Sequence, residues 1–577
     1  MDHATINALM NFVQIKQRPL LTPPESFQAV PEFLAQILAR RGVQSEQELD
    51  LKLRHLLKPE LKDLATATAL IDAAIDRHEH IVIVGDYDAD GATSTALMCL
   101  VLKTLGAHVD YIVPDRFKYG YGLTPAIADL AETTFAPDLL ITVDNGISSH
   151  AGVARAQALG MQVIITDHHL TTKQPPDAEA VVNPNQLECT FPSKALAGVG
   201  VAFYLLAHLC TLRQQQQKSS CKISQYLDLV ALGTYADVAT LDYNNRILVD
   251  AGLKRIQQQQ CRPGILALLE IAKRDAATLK AQDLGFVLGP RINAAGRMDS
   301  MNIGIECLMA PDFKTAYPIA EQLNRLNLER RQVETEMKQQ ALGYLETLQL
   351  NETQIPPALV LFEESWHQGV IGIVAGRLKE QFHRPTIVFA PDTDGEHIKG
   401  SARSIDGIHI RDTIEQVAEQ YPHLVSHFGG HAAAAGLTLK KQYFDEFKRI
   451  FTQYVAQMDE SLLDAVLWTD GVLPMSAHQL DTLNWIERLG PWGQKFPYPQ
   501  FEGRFQVLDY RWLKELHLKL KLSLDQYGTI DAIAFNAAHQ FEFDPSIPFV
   551  NLVYELDRNE FNGSVNLQLR ILHLDQT

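Results

Sequence analysis

Cysteine is scarce and scattered: Cys99, Cys189, Cys210, Cys221, Cys261 and Cys307 are the six in 577 residues. They have neither the close pairing of a zinc site nor the density of a disulfide scaffold, so a reducing compartment, the cytoplasm, is expected. Long apolar runs are also missing. Nothing approaches the roughly 18 consecutive apolar residues of a membrane span, and no membrane partner is expected. The opening MDHATINALMNFVQIKQRP lacks the basic-then-apolar order of a secretion signal. Positive charge is short as well: 51 Lys and Arg against 69 Asp and Glu give a net charge of -18. That balance argues against a surface that binds polyanions indiscriminately and leaves room only for a local basic groove. A chain of this length with 46% hydrophobic residues can bury several cores, and about three or four domains are expected.

What is present centres on HIVIVGDYDADGATS, residues 80–94. Ile81 to Val84 make a short β-branched run, as in a buried parallel strand. Gly85 ends it, Asp86, Asp88 and Asp90 follow at alternate positions, and Ala92 to Lys103 is read as a helix. Three carboxylates on one strand-to-helix turn repel one another. They are either a solvated acidic loop or a site for a hard divalent cation. Further short apolar runs follow at His108–Val113, Leu139–Val143, Val163–Thr166 and, more weakly, Ala180–Val182, alternating with helical stretches. This is the pattern of a mostly parallel sheet. Two of these runs also end in ligand-type residues: Asp144-Asn145-Gly146, and Asp167-His168-His169. Separate strands delivering such groups to one carboxyl edge point to a metal site there.

Elsewhere the pattern gives a helical lead-in over 1–75, with Leu49–Leu57 and Leu64–Ile75 as helices, and the α/β unit over 76–250. The loop Pro114–Gly122 mixes Arg116, Lys118 and Tyr121 with glycines, a composition that can clamp phosphate and stack on a base. Asp237 interrupts the small, apolar ALGTYADVATL and either caps a helix or reaches the metals. Residues 251–350 hold GPRINAAGRM, read as a compact basic loop with Arg291, Asn293 and Arg297, and then a long helical stretch over 319–348. That stretch is either one connector helix of ~45 Å or two helices broken near Asn327. A second α/β domain spans 351–460, with glycine-rich segments at 400–404 and 427–431. Ser401, Arg403 and His431 there make an anion cradle, unless His431 merely satisfies local backbone. Over 461–577 short alternating runs suggest a small barrel, of the oligonucleotide-binding kind or another, with Lys519 and Lys521 on the outer face of a leucine-rich strand.

Taken together, GDYDADG at 85–91, GYGL at 120–123, DNG at 144–146, DHH at 167–169 and GPRINAAGR at 289–297 resemble the DHH phosphoesterase superfamily. GSARS at 400–404 and FGGHAAAAG at 428–436 resemble its associated C-terminal domain. Length, connector and barrel-like tail are similar to the superfamily's single-strand-specific DNA exonucleases. The resemblance implies two α/β domains joined by a long helix, plus a β-barrel of the oligonucleotide-binding type. It implies 5′ to 3′ hydrolysis of single-stranded DNA to 5′ mononucleotides in recombination and repair, with Mn²⁺ or Mg²⁺ as two ions. The implied metal ligands are Asp86, Asp88, Asp90, Asp144, His168 and Asp237. His169 is the histidine facing the scissile phosphate. Arg116, Tyr121, Arg291, Asn293, Ser401, Arg403 and His431 match segments that line the DNA path. Expected partners are single-stranded DNA, a single-stranded-DNA-binding protein and a repair helicase.

Asp144, His168 and His169 are therefore the expected catalytic group, with Asp144 bridging two ions from a central strand end. His169 is expected to donate to a non-bridging oxygen as charge develops. Two rivals remain open at this level. One is a phosphodiesterase for very short oligonucleotides or cyclic dinucleotides, and the other is a DNA-binding scaffold without catalysis.

Overall fold

The structure is a computed structural model describing residues 13–24, 27–28, 30–114, 119, 122–171, 174–347, 355–561 and 564–576. The lead-in departs from the all-helical expectation. It opens with a strand, β1 (Val13–Gln17), and its α-helices are Glu32–Ala39 and Leu64–Asp76. The stretch Leu49–Leu57 holds only 3₁₀ turns, Glu46–Leu49 and Leu53–His55. Between them the Asp50 carboxylate gathers Lys52, Arg54 and His55, a local network that competes with helix continuation.

The first α/β unit is a fully parallel sheet of β2 (His80–Val84), β3 (His108–Ile112), β4 (Leu139–Val143), β5 (Gln162–Thr166) and β6 (Ala180–Val182), in the order β3-β2-β4-β5-β6. Its strands are buried on both sides, which is why they read as continuous β-branched runs. Helices Pro125–Phe135 and His150–Ala158 cover one face with Val82, Val84 and Ile165. Helices Ala89–Thr104 and Gly198–Gln215 cover the other with Ile81, Ile83 and Val143. The order reverses between β2 and β4, so a crevice opens at their carboxyl ends, where such sheets take ligands.

GPRINAAGRM is not a loop but the helix Gly289–Met298. The π-helical turn Leu284–Leu288 leads directly into it, and Pro290 is the second residue of the helix. The connector is one unbroken helix, Phe313–Thr347, of 35 residues, or ~52 Å. Asn327 does not break it. Its Oδ1 is buried and accepts from Arg330.

The second α/β unit comprises β7 (Leu359–Phe362), β8 (Thr386–Pro391), β9 (His397–Arg403), β10 (His427–Gly430) and β11 (Ala434–Lys440), in the order β10-β11-β9-β8-β7. The two glycine-rich segments are strands here rather than free loops. Ser401 and Arg403 share one half-buried face of β9, while Gly400 and Ala402 point to the core. Met337 and Ala341 of the long helix pack with helix Ile371–Phe382 on one face of this sheet.

The chain then forms β12 (Ala465–Thr469), which pairs in parallel with β1. A closed barrel follows, made of β13 (Phe501–Leu513), β14 (His517–Ser523), β15 (Thr529–Ala534), β16 (Phe549–Phe561) and β17 (Ser564–Asp575). Barrel residues Leu518, Leu520 and Leu522 belong to the same continuous core as the first α/β unit and the lead-in helices. Among the described residues no helix is long and apolar enough to cross a membrane.

Candidate metal centre

The acidic turn is shaped by its own backbone. The helix after β2 begins at Ala89, three residues before the sequence suggests, because Asp88 caps it and accepts the N–H groups of Asp90 and Gly91 at 2.9 and 3.0 Å. Asp90 thereby falls in the first helical turn and points inward. Its two oxygens accept the N–H groups of Gly198 (2.6 Å) and Val199 (2.9 Å) at the start of the helix that packs alongside. Asp144, at the end of β4, has φ of 62°, a left-handed conformation that Asp tolerates. A Cβ on Gly198 would lie 2.6 Å from that of Asp144, so only glycine lets this helix start approach so closely.

At the end of β5, Asp167 is buried and acts as the hub of its own triplet. One oxygen accepts the N–H of His168, the N–H of His169 and, at 2.7 Å, His169 Nδ1. The other accepts the N–H of Ile147. His169 Nε2 is thus the nitrogen left to face the crevice, and His168 Nε2 turns to Asp144 Oδ1 at 3.0 Å. His168 Nε2 also lies 3.8 Å from Asp90 and 3.9 Å from Asp237. Asp237 terminates helix Leu227–Ala236 and reaches the cluster as well.

These side chains form three overlapping donor sets: Asp86, Asp88 and Asp144; Asp144, His168 and His169; and Asp90, His168 and Asp237. Asp144 and His168 each belong to two sets. Burial, and then the charges of neighbouring carboxylates, hold the Asp144 and Asp237 carboxyls well above the usual carboxylate range. The same causes raise Asp90 to about 7. Burial, then His169, lowers His168 to about 4. For His169 burial works against the charge, but the bond to Asp167 and the surrounding carboxylates leave it raised to about 9. Asp167 answers in kind: burial opposes its charge, yet His169 holds it at about 2. Converging buried carboxylates with one neutral imidazole are stable together when a hard divalent cation shares them. This donor set therefore fits Mn²⁺ or Mg²⁺.

The remaining expected residues fall into four groups. Asn293 and Arg297, on helix Gly289–Met298, bond the acidic turn and the roof. Asn293 Oδ1 accepts the N–H of Ala89 at 2.7 Å, and Arg297 donates to the Gly369 carbonyl at 3.3 Å. Arg291, on the same helix, bonds Asn324 and the Val287 carbonyl. Ser401, Arg403 and His431 belong to the second α/β unit, which roofs the crevice. Arg403 donates to Ser401 Oγ at 3.0 Å, and the His431 ring stacks 6.1 Å from that of His169. In the barrel, Lys519 pairs with Asp531 at 2.7 Å, while Lys521 is exposed. Arg116 and Tyr121 lie outside the described residues. Two supports escaped the sequence reading. The role of Asp167 was signalled only by its place in DHH, and nothing in the spacing marked the N-terminus at Gly198.

A parallel sheet with this acidic edge, roofed by a second α/β unit, defines a DHH-type phosphoesterase fold. Residues 80–234 match the DHH family, N-terminal domain, and 356–457 match the DHHA1 domain. Residues 469–573 match the RecJ OB domain. The single-stranded-DNA-specific exonuclease RecJ of Dickeya dadantii (strain 3937) is 47% identical over 576 residues, which cover 98% of this chain and 100% of that protein. RecJ of Escherichia coli (strain K12) is 44% identical over 569 residues, covering 97% and 98%. The crystal structure of RecJ in complex with Mn²⁺ from Thermus thermophilus superposes with a TM-score of 0.82 at 30% identity, covering 98% of this chain and 80% of that one. The chain belongs to the RecJ family.

Proposed function

We propose that this protein is a metal-dependent exonuclease that hydrolyses single-stranded DNA from its 5′ end and releases 5′ mononucleotides during recombination and repair. The observation that carries this reading is the convergence of Asp86, Asp88, Asp90, Asp144, His168 and Asp237 beneath a roof bearing Ser401, Arg403 and His431. The single-stranded-DNA specificity of the related exonucleases and the Mn²⁺ bound by the Thermus relative support it.

Asp86, Asp88, Asp90, Asp144, His168 and Asp237 would hold two ions, with Asp144, shared by two donor sets, between them. Two bound Mn²⁺ or Mg²⁺ ions supply an acidified water and charge neutralisation at the phosphate. The chain's own groups do the rest. His169, oriented by Asp167, presents Nε2 to a non-bridging phosphate oxygen. Arg403, braced by Ser401, offers its guanidinium fork to the terminal phosphate, and His431 closes the crevice above His169. Phosphate contacts carry no base information, so cleavage has little sequence preference. In the cell a single-stranded-DNA-binding protein and a helicase would deliver the strand, in the cytoplasm.

The direct test is product analysis on single strands labelled at either end, with and without Mn²⁺. Mononucleotides released from the 5′ end only when metal is present are the expected result. Release from the 3′ end, or activity confined to dinucleotides, would refute the assignment.

A further inference from the structure

The groups placed around the metal centre are carboxylates, imidazoles, a guanidinium and a hydroxyl, all suited to ions and phosphate. A nucleotide also carries a flat, largely apolar base, and two side chains beside Asp237 match it. The helix that carries Asp237 ends in a tight turn. There the N–H of Val238 donates to the Tyr235 carbonyl and that of Ala239 to the Thr234 carbonyl, both at 3.3 Å. Such a turn holds its central residue in the left-handed region, where glycine is the usual choice. Here that residue is Val238, with φ of 58°. A β-branched side chain is strained in this conformation. Packing does not explain it, because Val238 is 62% exposed. Strain kept next to a site points to a task for the side chain outside the fold.

Phe286 is the second. It lies on the π-helical turn Leu284–Leu288, a rare geometry that is frequent at functional sites. At 73% it is the most exposed large apolar side chain among the described residues. Its neighbours fix where it stands. A Cβ on Gly285 would lie 2.8 Å from the Tyr235 ring, and one on Gly289 would lie 3.1 Å from the Ala236 Cβ. This segment is therefore tight against the two residues that precede Asp237. The helix it leads into reaches the acidic turn, where Asn293 accepts the N–H of Ala89. Phe286 thus stands on the wall that joins two parts of the metal centre, and Val238 follows Asp237 directly.

We propose that Phe286 and Val238 form a base platform: one base of the single strand stacks on the Phe286 ring and packs its edge against Val238, while the phosphates pass over the ions. The inference rests on the exonuclease reading and adds to it the contact that grips a base. Every base has a π face, so stacking holds the strand without sequence preference. A base inside a duplex has both faces covered by its neighbours and cannot use the platform.

The test uses 5′-phosphorylated single strands of one length, each with one abasic residue at a different position, digested by the full-length protein in Mn²⁺. Wild-type product ladders should show a pause at a fixed distance between the abasic residue and the bond being cut. The rate there should fall at least about 5-fold, the lower end for losing one stacked base. Phe286→Ala should cut intact DNA with kcat/KM lowered by a similar factor, and should lose the pause at that register. Phe286→Trp should keep both the rate and the pause. Calorimetry should give wild-type Mn²⁺ affinity for all variants, since neither side chain offers a ligand. Val238→Gly relieves the backbone, so it should melt no lower than wild type yet cut more slowly, and an unchanged kcat/KM would remove Val238 from the platform. An undiminished pause in Phe286→Ala, or a wild-type ladder without a pause, would overturn the inference while leaving 5′ exonuclease activity intact. Degradation from the 3′ end, or no cleavage of long strands, would instead overturn the exonuclease reading and this inference with it.

Discussion

Asp144 differs from the other carboxylates of the crevice in belonging to two donor sets and in reaching its place through a left-handed backbone. Asp144→Asn keeps shape and hydrogen bonding but removes the charge. Turnover should fall by at least about 100-fold, the upper end for losing a group one layer further out. The fold and much of the DNA affinity should survive. Metal calorimetry checks it, and unchanged stoichiometry and affinity would reject Asp144 as a ligand. Arg403 supplies the second residue-scale prediction. Its guanidinium is braced against Ser401 Oγ and the Ala402 carbonyl, and Lys cannot reproduce that fork. Arg403→Lys should lose more kcat/KM on 5′-phosphorylated strands than on 5′-hydroxyl strands, and an equal fractional loss on both would move end recognition elsewhere. At this scale the cluster formed by the residues after β2, β4 and β5 was legible, because each group follows an apolar run that reads as a buried strand, whereas Asp237 ends a helix and its own surroundings left its role open. The hydrogen bonds that Asp167 accepts from Ile147, and Asp90 from Gly198 and Val199, were not: they join segments whose sequence spacing carries no trace of the contact.

Among the elements, helix Gly289–Met298 is where composition misled. Glycine, proline and arginine together look like a phosphate loop, but the small residues serve a close helix-to-turn contact. A Cβ on Gly296 would lie 2.1 Å from the Tyr87 carbonyl oxygen, backbone that cannot swing aside. Gly296→Ala should therefore push the acidic turn away from the crevice. Mn²⁺ affinity and turnover should drop together in a protein whose far-ultraviolet spectrum is unchanged, and wild-type Mn²⁺ affinity would contradict this account. Strand β14 gave the opposite lesson. Its period-two pattern specified both faces, and Leu518, Leu520 and Leu522 are buried as the alternation requires. The pairing of Lys519 with Asp531, and the register of Lys521 between Asp509 and Asp531, were beyond reach of the sequence and reduce the charge available to DNA. Replacing both lysines with Ala should lower the salt slope of DNA binding by about one unit rather than two. The rate at saturating substrate should barely move, and an unchanged slope would take this strand off the DNA path.

For the molecule as a whole, the decisive contact joins the lead-in to the C-terminal region. Arg41 meets Asp470 through both guanidinium nitrogens at 2.7 and 2.9 Å, with both side chains fully buried. Asp470 also accepts the N–H of Gln500, and Arg41 donates to the Ile37 and Pro497 carbonyls. Asp470→Asn leaves the Arg41 charge buried without its partner, a loss of about 3–5 kcal/mol. It should detach the barrel before the first α/β unit melts. A single unshifted thermal transition would show that the pair does not hold the two together. The domain plan, with two α/β units, a connector and a barrel, was legible because each part has its own periodicity. The fusion of barrel, lead-in and catalytic sheet into one core was not, since docking depends on side chains from distant segments.

The parallel pairing of β1 with β12 has a consequence in time. Arg18, just after β1, bonds the carbonyl of Trp468, a partner 450 residues later. At a ribosomal pace of ~5–20 residues per second, β1 emerges about 20 to 90 s before its partner exists. Through that interval the nascent chain carries an unpaired strand edge, VQIKQ. Its alternating polar residues, with Lys16 inside the strand and Arg18 just after it, keep that edge from pairing with another chain while synthesis is completed.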